Sequence, residues 1–125
     1  MNVRTSAWQI KPGKRQKLHD WLHTLNTTRR QEAAATLTYE NCSAEYAYVT
    51  THDRVDYVMF LAFHHDTPKR MDMSITINQE HKAVLDDCVG DRVDDAKAIR
   101  IFDLRFCDNV HTMLNLYADE KTTIV

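Results

Sequence analysis

Glu45 is the residue of this sequence whose type and position most suggest chemistry. It falls in the middle of a predicted strand, where a carboxylate is uncommon, and shares one strand face with Ser43, Ala47 and Val49. A carboxylate among small and apolar neighbours is desolvated, and desolvation raises its pKa. Glu45 is therefore predicted to be a general base or an anchor for a cationic group, unless it lies at a solvated rim of the sheet.

His81 is the second candidate, because it lies on the apolar side of a predicted helix. Val84, Leu85 and Cys88 follow it at three, four and seven positions, which places all four residues on one helix face. A buried imidazole needs a hydrogen-bond partner, and its pKa can shift across neutrality. His81 is either a core histidine with its hydrogen bonds satisfied, or an acid/base or substrate-contacting group in a pocket.

Four other polar residues are candidates for supporting roles. Tyr57, on the third predicted strand, either donates to a developing oxyanion or is a core residue with its hydroxyl at the edge. Glu40, between a helix and a strand, is either a second carboxylate of the site or a solvated turn residue. Asp103 and Arg105 alternate with apolar residues on the last predicted strand, and either pair within the sheet or across a dimer, or bind substrate.

Several histidines raise the question of a metal site. His19 and His23 have the four-residue spacing of a zinc-binding helix, but they lie off the apolar stripe and no third ligand is evident. His64 and His65 end a strand, where neighbouring side chains diverge, so at most one of them faces a given site. No metal is expected; the alternative is a site built from His64, His81 and a carboxylate.

The composition limits which cofactors and partners this chain can use. Its 125 residues are enough for one domain, and its two glycines, Gly13 and Gly90, stand too far apart for a phosphate-binding loop. A net charge of −2 argues against a nucleic-acid partner. No cofactor is expected, and the predicted ligand is a small molecule.

The same sequence features favour a cytoplasmic location. No apolar run approaches the roughly 18–20 residues needed to cross a bilayer, so no membrane partner is expected. The cysteines are odd in number and form no CxxC motif, which suits free thiols in a reducing compartment; they are Cys42, Cys88 and Cys107.

The hydrophobic pattern predicts the order β-α-(α)-β-β-α-(α)-β. Strands are predicted over residues 3–10, 43–50, 55–63 and 98–107. Helices are predicted over 14–27, 28–39, 67–74 and 79–89, with Asn78 capping the last one and Gly90 ending it. This order is the split βαβ, ferredoxin-like α+β plan, a four-stranded antiparallel sheet with helices on one face. Residues 1–107 would form that domain, and 108–125 a tail that could pack on a dimer partner.

The third predicted strand, residues 55–63, is apolar on both faces. Tyr57 and Phe63 point to one side of the sheet, whereas Val58 and Phe60 point to the other. Helices on one face cover only half of these residues, so the second face needs another cover. The simplest cover is a second copy of the chain, which predicts a homodimer whose two sheets pack face to face.

A set of short motifs spread along residues 3–107 resembles a known family. The motifs are Ile10-Lys11-Pro12-Gly13-Lys14, Trp21-Leu22, Leu37, Glu40, Glu45, Asp56-Tyr57-Val58, Ile77 and Glu80-His81. In their order and spacing the chain resembles a family of short bacterial proteins of unknown function within the dimeric α+β barrel superfamily. The resemblance implies the ferredoxin-like fold and the dimer. It implies no reaction, because that superfamily includes cofactor-free oxygenases, haem enzymes, isomerases, cyclases and simple binders.

Three functions are consistent with these residues. The first is a homodimeric enzyme that uses acid/base catalysis on a small polar metabolite, by isomerisation, dehydration or cyclisation of a carbonyl or amine compound. In it, Glu45 is the base or cation anchor, His81 the proton shuttle and Tyr57 the oxyanion donor. The second is a dimer that binds or senses a small ligand without catalysis. The third is a metal- or oxygen-dependent enzyme.

Overall fold

The computed structural model describes residues 2–102 and 111–118, which form a mixed α+β fold. The strands are β1 (Asn2–Ile10), β2 (Cys42–His52), β3 (Val55–His64), β4 (Val89–Val93) and β5 (His111–Tyr117). The helices are α1 (Arg15–Asn26), α2 (Arg30–Tyr39), α3 (Thr76–Cys88) and α4 (Asp95–Ile101). All pairings in the sheet are antiparallel, in the order β4-β1-β3-β2-β5. Within the described ranges, no helix is long and apolar enough to span a bilayer.

Helices α1, α2 and α3 pack on one side of the sheet, called here the helical face. The predicted leucine stripe of α1 is buried there, as the helical spacing requires. The core of this side contains Leu18, Leu22, Leu25, Leu37, Val49, Val58, Ile77 and Leu114. Packing on this side places α2 over β2 and β5, and α3 beside α1 and next to β4. Glu40 lies at the end of α2, Glu45 on β2 and His81 on α3.

The opposite face of the sheet is also apolar, which confirms the two-faced pattern of β3. One end of this face is covered by α4, where Ile101 and Phe102 pack with Ala7, Tyr57 and Val93. The other end has no cover from the described part of the chain. It presents the half-buried Tyr46, Leu61 and Phe63 and the exposed Tyr117.

The predicted four-stranded sheet is wrong, because the C-terminal elements were misplaced. The expected last strand, 98–107, begins inside α4, and its remainder from 103 lies outside the described residues. The signal for α4 is Asp94, whose side chain accepts a hydrogen bond from the Lys97 backbone N–H at 2.9 Å and caps the helix. The fourth strand is instead β4, and β5 adds a fifth strand beside β2 from the segment predicted as a tail.

Two helix boundaries near the site also differ from expectation. Residues 67–74 are not helical, and they cross the helical face as an irregular segment. Asn78 lies inside α3 and is 5% exposed, so it does not cap the helix; its side-chain amide donates to the Asp72 carbonyl at 3.0 Å. Gly90 does not terminate α3 in a left-handed conformation, because the chain continues directly into β4.

Candidate functional site

A cleft between the helical face of the sheet and helices α2 and α3 contains the main candidate side chains. It consists of two adjoining cavities, which share Glu45, His81 and Met71 in their walls. The inner cavity, of about 60 Å³, reaches Thr36, Glu40, Asn78 and the apolar residues Leu25, Ala33, Leu37, Ile77, Leu114 and Leu116. The outer cavity, of about 690 Å³, opens past Ser6, Trp8, Phe60, Leu85, Asp86, Val89 and Gly90. The inner part can hold a small head group and the outer part the body of a metabolite.

Glu45 lies in the floor of the cleft, on an interior strand of the sheet. Its neighbours across the sheet are Ala62 on β3 and Leu116 on β5, so it is not at an edge. Burial raises the pKa of the Glu45 carboxyl from 4.5 to about 7. Among the described residues, no side chain or backbone group donates a hydrogen bond to this carboxyl. A buried carboxylate without an internal partner is poised for an external one.

Glu40 brings a second carboxyl to the same cavity from the C-terminal end of α2. Burial, together with repulsion from Glu45, raises the pKa of Glu40 to about 7, and a hydrogen bond from Thr36 opposes the rise. The Lys69 backbone N–H donates to the Glu40 carbonyl at 3.2 Å, which ties the end of α2 to the irregular segment above the cleft. Two carboxyls that repel each other titrate as a pair. Near pH 7 the state in which one of them is protonated is therefore favoured over the state in which both are ionised.

His81 faces the cleft with a fixed tautomer. The indole Nε1–H of Trp21 donates to His81 Nδ1 at 2.8 Å, and the two rings stack with centroids 6.2 Å apart. Because an indole nitrogen can only donate, Nδ1 carries the lone pair and the imidazole proton lies on Nε2. Burial lowers the pKa of His81 to about 4. At neutral pH this residue is therefore an uncharged Nε2–H donor and not an imidazolium.

Trp21 is itself held in place by an ionic cluster behind it. The Arg29 guanidinium lies 5.7 Å from the centroid of the Trp21 ring and pairs with Glu32 and Glu80. Neither the hydrogen bond from Trp21 to His81 nor this support is evident from the sequence, because the contact joins residues 60 positions apart. Arg29 and Trp21 thus orient the imidazole from outside the cleft.

The structure brings Glu40, Glu45 and His81 together, but it separates Tyr57 from them. Tyr57 is 3% exposed on the opposite face of the sheet, where Lys97 Nζ lies 5.7 Å from its ring centroid. The predicted arrangement in which Tyr57 donates to an oxyanion beside Glu45 is therefore wrong, since the sheet lies between them. Asp103 and Arg105 fall outside the described residues.

The histidines proposed for a metal do not converge. His64 lies with Arg4 and Arg92 in a different cavity from His81. His19 and His23 form a parallel ring pair on α1, with centroids 6.4 Å apart. Within residues 2–102 and 111–118 there is no group of three His, Cys, Asp or Glu side chains with the geometry to hold a metal ion.

Asn78 and Met71 are site residues that the sequence reading missed. Asn78 stands three residues before His81, so helical spacing alone places both on one face of α3. That signal was available but was interpreted as a cap. Met71 closes the cleft from the irregular segment, where no periodicity exists to predict it.

The fold and the cleft define an α+β protein with a paired-carboxyl pocket between an antiparallel sheet and its helices. Residues 1–105 match a family of unknown function (DUF6176), and the chain belongs to that family. This confirms the predicted membership of a family without an assigned activity. No curated protein and no solved structure matches the chain.

Proposed function

We propose that this protein is an enzyme that moves protons on a small polar metabolite, with Glu45 as the general base and His81 as a neutral hydrogen-bond donor. The observation that carries the proposal is the Glu45 carboxyl itself, which is half-buried in the wall of both cavities and has no hydrogen-bond partner among the described residues. A general base is most effective when its pKa lies near the working pH, and burial brings the pKa of Glu45 to about 7.

The two groups suit isomerisation of a carbonyl compound. The Glu45 carboxylate would take a proton from the carbon next to the carbonyl, and the electron pair of that C–H bond would move toward the carbonyl oxygen. His81 Nε2–H would stabilise the resulting oxyanion, the role first predicted for Tyr57. Protonated Glu45 would then return the proton to another carbon conjugated with the enolate, as the oxyanion re-forms the carbonyl double bond. Dehydration would follow the same first step, after which protonated Glu45 would pass its proton to a hydroxyl group on the β-carbon, and this group would leave as water while the enolate electron pair forms the carbon–carbon double bond.

Exchange of carbon-bound hydrogen for solvent deuterium tests this function without knowledge of the product. Small carbonyl compounds in D₂O would be incubated with the protein, and loss of the α-proton signal followed by NMR. We expect exchange in at least one compound and a fall of about 10²–10⁴-fold in Glu45→Gln. Trp21→Phe, which frees His81 Nδ1, should lower the turnover rate more than it weakens binding, because it disturbs only the orientation of the imidazole.

The matched control is Asp53→Asn, which changes an exposed carboxylate in the β2–β3 turn, outside the cleft and outside the cluster that supports Trp21. It should leave exchange unchanged. Full exchange activity in a folded Glu45→Gln variant would contradict the assignment of the base.

A non-catalytic ligand-binding protein is the second candidate, favoured by the apolar walls of the outer cavity. The catalytic and the non-catalytic candidate predict different results in the deuterium-exchange experiment. A binder would show Glu45-dependent binding of a metabolite whose α-proton never exchanges with solvent.

We further propose that the chain forms a homodimer through the uncovered end of the opposite face, as in the dimeric α+β barrel superfamily. The support is an aromatic cluster on that face, in which the Tyr46 and Tyr117 hydroxyls lie 3.0 Å apart and Phe63 packs edge-on against Tyr46. Aromatic side chains grouped on an uncovered sheet face are typical of a protein interface. Because α4 already covers the other end, the two sheets would overlap only in part.

A further inference from the structure

The outer cavity continues into a third cavity whose wall is basic, called here the basic basin. It has a volume of about 360 Å³ and shares Ser6, Trp8 and Phe60 with the outer cavity. Its charged members are Arg4 and Arg92, and His64 lies in the same wall. The cleft therefore extends along the helical face from a pair of carboxyls to a pair of guanidinium groups.

The strand register places the two ends of this trough in one row of the sheet. Glu45 on β2 pairs with Ala62 on β3, and Ala62 pairs with Arg4 on β1. Neighbouring strands are about 4.8 Å apart, so the Cα atoms of Glu45 and Arg4 are separated by about 10 Å. The residue between them is an alanine, whose small side chain leaves the space above the sheet open.

The charged groups of the basin are not neutralised by acidic side chains of the described residues. Neither Arg4 nor Arg92 forms an ion pair with an acidic side chain within the described ranges. The Arg92 guanidinium is held 5.7 Å from the centroid of the Trp8 ring, which fixes it at the wall of the basin. His64 is 7% exposed, and its Nδ1 atom has no hydrogen-bond partner among the described residues. Two free guanidinium groups beside a buried unpartnered imidazole are typical of an oxyanion site.

At the other end, Glu45 is the carboxyl available to a cation. Asp86 also lines the outer cavity, but its carboxylate already pairs with Lys82 at 2.6 Å. Among the described residues, the other ionisable groups that line the inner cavity or interact with Glu45 are Glu40, the neutral His81 and the Cys42 thiol, whose pKa burial raises to about 11. None of these is a cation at neutral pH, so a positive group on the ligand would meet no competing charge.

We propose that the trough binds a zwitterionic metabolite, with an ammonium group at Glu45 and Glu40 and an oxyanion at Arg4 and Arg92. This inference rests on the proposed function, because it takes Glu45 to face the ligand. It adds the substrate class and a second subsite, in the basic basin. The spacing selects a ligand whose two charges are separated by a short chain, and the apolar walls of Trp8 and Phe60 accommodate that chain.

NMR titration of the full chain with ω-amino carboxylates, from β-alanine to ε-aminocaproate, tests this proposal. We expect one member of the series to bind at least about ten-fold more tightly than butylamine or butyrate, which each carry one of the two charges. Arg4→Gln should reduce the affinity of that member toward that of butylamine, and leave butylamine binding unchanged. Glu45→Gln should reduce the affinity of that member toward that of butyrate, and leave butyrate binding unchanged. Aminopropylphosphonate, run in parallel, shows whether the oxyanion is a carboxylate or a phosphate-like group.

Arg54→Gln is the matched control, because Arg54 is exposed in the β2–β3 turn far from the basin. The Arg4→Gln and Arg92→Gln variants change exposed side chains, so their folding is expected to be intact and circular dichroism would check it. If neither arginine variant alters zwitterion affinity, the basin is not a subsite and the zwitterion proposal fails, although Glu45-dependent amine binding would still show that Glu45 faces the ligand. If the arginine variants weaken binding and Glu45→Gln does not, the ammonium group is not held at Glu45 and the zwitterion proposal fails, whereas deuterium exchange in Glu45→Gln decides separately whether Glu45 is the base.

Discussion

Glu45→Gln is expected to stabilise the protein by up to about 3 kcal/mol at pH 8 and to change its stability little at pH 4.5. Burial raises the pKa of Glu45 from 4.5 in an exposed chain to about 7 in the folded state. Between these two values the folded state keeps a proton that the unfolded state releases, so stability falls as the pH rises. One pKa unit corresponds to about 1.4 kcal/mol, which gives the expected size. Glutamine has no charge to desolvate, so this effect does not lower the stability of the Glu45→Gln variant as the pH rises.

His81 acts in the opposite direction and must be separated from this effect. Its pKa is about 4 when folded and 6.5 when exposed, so the unfolded state binds the extra proton between these values. Stability from this residue therefore rises with pH over that window. Because both the wild type and Glu45→Gln contain His81, the difference between their urea unfolding curves removes its contribution and reports the Glu45 carboxyl together with its repulsion of Glu40.

Glu32→Gln is the control for this stability prediction. Arg29 lowers the pKa of Glu32, so removing this carboxylate should give no stabilisation at high pH. A difference between wild type and Glu45→Gln that stays flat from pH 5 to pH 8 would mean that Glu45 is solvated.

Phe63→Lys is expected to convert the proposed dimer into a monomer. Phe63 lies at the uncovered end of the opposite face, in contact with Tyr46. An ammonium group there would be buried against apolar atoms of the partner without a counter-charge, a cost of several kcal/mol per interface. In a homodimer with two-fold symmetry, each subunit contributes the substituted residue to the interface, so two ammonium groups are placed there. Sedimentation equilibrium or light scattering at micromolar concentration would measure the change in mass.

Ala35→Lys provides the matched control for the added charge. Ala35 is exposed on α2, away from the opposite face, and its substitution should leave the mass unchanged. A wild-type protein that is already monomeric at high micromolar concentration would rule out this interface.

The local patterns of the sequence predicted the first three strands and the helices α1, α2 and α3 within a few residues. Their periodicity is strong because each element buries one side, as with the leucine stripe of α1. The prediction failed after Gly90, where residues 98–107 have the composition of a strand but begin as the helix capped by Asp94. Whether the residues after Asp94 form a helix or a strand depends on their tertiary contacts, and propensity alone does not determine it.

The site was predicted in part, and the reason differs for each residue. Glu45 and His81 were correctly placed on one side of the sheet because strand alternation and helical spacing each define a face. Tyr57 was grouped with them although its strand parity put it on the other face, with Met59 and Phe63. Trp21 could not be assigned, because its contact with His81 depends on how α1 packs beside α3.

A direct measurement of the Glu45 titration tests the central claim most simply. The side-chain carboxyl carbon of ¹³C-labelled Glu45 would be followed by NMR from pH 3 to pH 9, with the signal assigned by its loss in Glu45→Gln. We expect a midpoint near pH 7, because burial raises the pKa of Glu45. We also expect that Glu40→Gln lowers this midpoint, because the two carboxyls repel each other. A midpoint near 4.5 that does not respond to Glu40→Gln would show a solvated carboxylate and contradict the proposed active site.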